Sequence, residues 1–79
     1  MEAKRGEIKY YHESGDIWKV KVLNVRKQNY GNTGGREYYL RLLEVVDTNG
    51  RNPPKEGTKF SVWKAEDSGG YAGWHLLDR

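Results

Sequence analysis

Lys19 and Lys21 stand two residues apart, and so do Tyr39 and Arg41. Between the two pairs lies RKQNYGNTGGR (26–36), which adds Arg26, Lys27, Tyr30 and Arg36. Cations interleaved with phenol rings can do two things together. Ammonium and guanidinium groups neutralise phosphates and release their condensed counterions. Aromatic faces stack unpaired bases, at roughly 1–3 kcal/mol per base. The glycines at 31, 34 and 35 let a ligand come close to the backbone. The charge is also local. From Ile17 to Arg41 there are six basic residues against one acidic one, Glu37, a net of +5 within a chain whose total is +3. The remainder is therefore −2. These residues point to capture of a polyanion, with Lys19, Lys21, Arg26, Lys27, Arg36 and Arg41 as the cations. Tyr30 and Tyr39 are the stacking groups.

A plainer account of the same residues exists. Outward lysines on strands block edge-to-edge association. Exposed tyrosines pair across strands without any ligand.

Trp63 is the next candidate. On a regular strand it lies opposite Phe60 and joins the outward groups as a contact residue, since tryptophan is enriched at binding hot spots. A one-residue bulge would instead turn it into the core. Trp18 and Trp74 are expected in the core, because a small barrel needs large plugs.

Catalysis is not expected. His12 precedes a turn and His75 alternates away from Trp74, and neither has an evident partner for general acid–base work. Glu13 with Asp16, and Glu66 with Asp67, fall in turn signals that turn geometry alone explains. No phosphate-loop, nucleophile-elbow or metal-hydrolase motif occurs. No metal and no cofactor is expected. The chain has no cysteine, which removes disulfides, thiolate metal sites and a catalytic thiol, and fits a cytoplasmic setting.

The elements that must position these residues read as strands. Residues 7–11 alternate with Ile8 and Tyr10 on one face. Residues 17–27 set Trp18, Val20 and Val22 against Lys19 and Lys21, then slip phase at Val22-Leu23, as a bulged strand does. Residues 37–47 set Tyr38, Leu40 and Leu42 against Tyr39, Arg41 and Leu43. Residues 58–66 set Phe60 and Val62 against Lys59, Ser61 and Trp63. Residues 71–78 form a short last strand. HESGD (12–16), DTNGRNPPKEG (47–57) and EDSGG (66–70) are turn clusters, with Asn49-Gly50 a tight-turn signal. No window carries a helical apolar period. At 79 residues the chain is one domain, with residues 1–6 expected to fray. The fold class that follows is all-β: a small five-stranded, strongly bent antiparallel sheet or partly closed barrel. No apolar run is long enough for a membrane span.

The stretch IWKVKVLNVRKQNYGNTGGREYYLRLLEVVDTNGR resembles the first half of an oligonucleotide-binding (OB) fold. The shared features are a long bent strand, a basic glycine-bearing loop, an aromatic second strand and an acidic-x-x-Gly turn. The five-strand count is equally similar to SH3-like barrels, and GYAGWHLL (70–77) resembles their aromatic strand. The first resemblance implies a nucleic-acid partner, single-stranded or structured, and the overlong basic hairpin tip reads as a mobile finger that orders on binding. The second implies a protein-binding adaptor or inhibitor, using an aromatic groove of Tyr71, Trp74 and Trp63 beside Glu66 and Asp67, or an exposed strand edge. A monomer or weak homodimer suits either.

Overall fold

A computed structural model describes residues 3–49, 52–66 and 73–78. Five strands form one antiparallel sheet: β1 (Ile8–Glu13), β2 (Asp16–Lys27), β3 (Gly35–Asp47), β4 (Lys59–Ala65) and β5 (His75–Leu77). The spatial order is β4-β3-β2-β1-β5. No helix occurs among the described residues, and so none long and apolar enough to cross a membrane. The expected all-β, five-stranded, curled architecture is what the chain adopts. The strand order bears on the OB resemblance. In a Greek-key barrel such as the OB fold, the fourth strand returns beside the first. Here β4 stays beside β3, and only β5 returns to β1.

Local chemistry sets the turns. Glu13 pairs with Asp16 across Ser14 and Gly15, both at positive φ (49° and 90°). Two positive-φ residues are what a type I′ hairpin requires. The β2–β3 connection was expected to be a long mobile finger; the strand ladder instead continues into it and leaves a two-residue turn. Gln28 N–H donates to Gly35 O, and Tyr30 and Thr33 exchange both backbone hydrogen bonds. The ladder thus continues to a two-residue turn at Gly31-Asn32. Gly31 has φ 58° while Asn32 stays at negative φ, the type II′ arrangement.

The two long strands β2 and β3 make a ribbon, flanked by shorter strands at opposite ends. β4 pairs with Gly35–Arg41 of β3, whereas β1 pairs with Asp16–Lys21 of β2. Three register shifts bend the ribbon, between Ile17 and Trp18, Lys19 and Val20, and Val22 and Asn24. The last leaves Leu23 without an opposite residue, at the phase slip read in the sequence. Bulges increase local twist, and here they fold the two ends towards each other. Phe60 of β4 therefore meets Tyr11 of β1 and Trp18 of β2 edge-on, at 5.6 and 5.7 Å between ring centroids.

The concave face holds the core. Val20, Val22, Leu40, Leu42 and Leu76 are fully buried, with Tyr11, Tyr38 and Trp74 nearly so. Each aliphatic group removed from water stabilises the fold by about 1.5–3 kcal/mol. Tyr11 is the hub, stacked on Trp18 at 5.5 Å and on Trp74 at 5.9 Å. Trp74 is core as expected; Trp18 is only half-buried, packed against the core's edge. Trp74 also reaches across the opening of the sheet. Its indole N–H donates to Trp63 O of β4 at 3.1 Å, and the Lys64 ammonium sits 5.6 Å from its ring. The two edges of the sheet are thus bridged by a side chain.

Two further segments are tied down. Ala3 is buried in the core, and Gly6 N–H and Glu7 O hydrogen-bond Val22. Ala3 is thus packed, and Lys4 and Gly6 are hydrogen-bonded. In the β3–β4 connection, Asn49 N–H donates to the buried Asp16 carboxylate, and its side-chain amide donates to Ser14 O. Asn49 thus clips the β1–β2 turn; Gly50 lies outside the described residues.

Candidate nucleic-acid interface

The convex face of β2, β3 and β4 carries the outward residues, and the register assigns them to rows. In one row Lys21 lies opposite Arg41, and Arg41 opposite Lys59. All three side chains are exposed. Adjacent strands lie about 4.7–4.9 Å apart, so this row sets three cations across roughly 10 Å. The next row along the strands is Asn24, Tyr39 and Ser61, and the one beyond it Arg26, Glu37 and Trp63. On the other side of the cations, Lys19 faces Glu44. Lys19, Lys21, Tyr39 and Arg41 therefore share one face.

The rows differ in charge balance. Arg26 and Lys19 each have a carboxylate opposite, Glu37 and Glu44. Lys21, Arg41 and Lys59 have only one another and Ile8. No described carboxylate forms an ion pair with any of the three. Like charges directly opposite each other on a sheet destabilise it.

Arg36 and Lys27 stand apart. They pair with each other at the far end of the ribbon, in the alternation of Tyr38 and Leu40 rather than that of Tyr39 and Arg41. Arg36 is also engaged by Glu66, at 3.6 Å. The structure does not bring these two to the face of the cation row. Lys59, by contrast, completes that row although it lies outside the basic stretch 17–41. Its signal was the strand alternation of residues 58–66, which had to be combined with the β3–β4 register.

Trp63 is outward, since β3 and β4 pair without a register shift. It is nonetheless half-buried, because its ring lies flat over Gly35. A Cβ at Gly35 would sit 2.4–2.6 Å from the indole. The Trp63 N–H donates to Gln28 O at 2.8 Å. Tyr30 meets the ring edge-on at 5.1 Å and donates its O–H to Glu37. The Glu37 charge, followed by partial burial and that hydrogen bond, pushes the Tyr30 phenol above its ordinary pKa. Tyr30, Trp63 and Glu37 thus brace the hairpin tip. Tyr30 remains 54% exposed.

Between the cation row and this brace lies a shallow depression of about 270 Å³, lined by Leu23, Tyr39, Leu40, Lys59, Phe60 and Ser61. A smaller one of about 160 Å³ lies at the other end of the sheet, between Trp18, Pro53, Pro54 and the carboxylates of Glu13 and Asp16.

Of the residues of the alternative reading's aromatic groove, Trp74 is buried and Trp63 packs on Gly35 with its N–H on Gln28 O. Tyr71 and Asp67 lie outside the described residues. His12 and His75 are directly opposite each other on β1 and β5. Among the described residues, no three histidine or carboxylate groups are grouped to hold a metal. No protein-family model, curated protein or solved structure matches the chain.

Proposed function

We propose that this small half-barrel binds nucleic acid through the convex face of β2, β3 and β4. Lys21, Arg41 and Lys59 contact phosphates, Lys19 flanks them, and Tyr39 supplies a stacking surface. The observation that carries the reading is the row of three cations with no carboxylate opposite. A phosphate backbone would relieve that repulsion, and each contact would release counterions. Tyr30 extends the aromatic surface towards the hairpin tip, backed edge-on by Trp63. The nearby Glu37 makes that end less suited to phosphate.

The test is fluorescence polarisation of labelled oligonucleotides across a salt series from about 50 to about 200 mM. Binding should weaken steeply as salt rises. In a Lys21→Ala, Arg41→Ala, Lys59→Ala variant, the slope of log affinity against log salt should flatten by about two units, at ~0.7 per single-strand phosphate contact. Absence of any polarisation change at the lowest salt would remove the proposal.

A further inference from the structure

The proposed interface has an apolar hollow beside its charge, and the bulged residue of β2 lines it. The register shift between Val22 and Asn24 leaves Leu23 without an opposite residue on β3, and Leu23 lines the depression. The opposite wall comes from Tyr39, half-buried and directly flanked by Asn24 and Ser61. Ser61 contributes a hydroxyl, which can donate and accept. Lys59 belongs both to this depression and to the cation row. The hollow and the row are therefore one continuous site, one two-residue step apart along the strands, or about 6.6–6.8 Å.

We infer that the depression takes one unpaired base, held between the Tyr39 ring and Leu23, while the flanking phosphates lie on Lys21, Arg41 and Lys59. This rests on the nucleic-acid reading and makes it specific: the ligand is single-stranded. A duplex presents its phosphates to the same row, but its bases are stacked and paired and cannot enter a lateral hollow. Phosphate attraction alone does not distinguish the two forms. An aromatic wall does, because base stacking on a side chain needs an exposed π-face.

The experiment compares three labelled ligands of equal length: a single strand, its duplex, and an abasic strand that keeps the sugar-phosphate backbone. The wild-type chain should bind the single strand about tenfold or more tightly than the abasic strand, the effect of one stacked base. It should prefer the single strand over the duplex. Tyr39→Ala should lower single-strand affinity to the abasic level while leaving abasic binding unchanged. Tyr39→Phe, which keeps the ring, should retain the preference. Far-UV circular dichroism and a urea midpoint confirm that each variant is folded. Equal affinity for all three ligands would overturn the base site and leave the polyanion reading standing. So would Tyr39→Ala weakening single-strand and abasic binding alike. No binding of any ligand at low salt would remove both.

Discussion

The contact between Gly35 and Trp63 shows how one missing methyl group shapes the hairpin end of the molecule. The indole can lie flat only because residue 35 has no Cβ, and that position lets it reach Gln28 O and support Tyr30. Gly35→Ala should displace the ring and destabilise the fold by about 1–3 kcal/mol, the usual range for overpacking. Urea denaturation would read this, and the penalty should shrink sharply when Trp63→Ala is already present, since the pair is coupled. An unchanged midpoint in the single variant would contradict the contact. Tyr11 offers a second prediction at this scale. Burial, and then the Glu13 carboxylate that accepts its O–H, hold its phenol well above the ordinary value of 10.0. A folded-state pKa raised in this way contributes stability in full below pH 10.0, and the contribution is lost as pH rises through the folded value. Lys9, held by its hydrogen bond to Asp78 at 2.5 Å, has the same sign above its ordinary 10.5. Stability should therefore fall on the alkaline side of about pH 10. Tyr11→Phe should show a shallower fall in urea midpoint over that range. The sequence left Trp63 open between core and surface because period-two alternation cannot see a bulge. The absence of one in β4, and the space above Gly35, decide the matter.

The elements were legible to different degrees, for reasons that can be named. β2 announced its own bend, because the slip at Val22-Leu23 broke an otherwise strict alternation. The alternation of β3 gave the core face, Tyr38, Leu40 and Leu42, and the opposite face, Tyr39 and Arg41. The hairpin tip misled because glycine-rich composition looks like slack. Gly31 is instead the positive-φ residue of a tight turn, and the ladder simply runs further than the strand signal does. β5 is short and sits where the sequence placed a longer strand. Its attachment depends on what surrounds it: pairing with β1, the Lys9–Asp78 ion pair, and the Trp74 indole on Trp63 O. Trp74→Phe removes the N–H and part of the buried ring volume. It should cost more than the about 0.5–1.5 kcal/mol net worth of one hydrogen bond, because a cavity adds to the loss. Amide hydrogen exchange should speed up in β5 before it does in β2 and β3. Uniform acceleration across all strands would argue against the indole as a local fastener.

The whole molecule is a meander whose last strand closes back on its first. Strand spacing cannot encode that order, and so the sequence alone did not separate an OB arrangement from an SH3-like one. The concentration of positive charge was legible, but its distribution over the rows of the sheet was not. Of the six cations between Ile17 and Arg41, two have carboxylates opposite and two lie at the ribbon's end, while Lys59 enters from a distant segment through the β3–β4 register. The pairing also separates contacts by their distance along the chain. β1 to β4 pair with sequence neighbours, whereas Tyr11 must find Leu76. Long-range pairings form slowly, because loop closure must precede their gain. The cation row sits wholly on β2, β3 and β4, so on the proposed reading no phosphate contact is made by the one strand whose pairing spans the length of the chain.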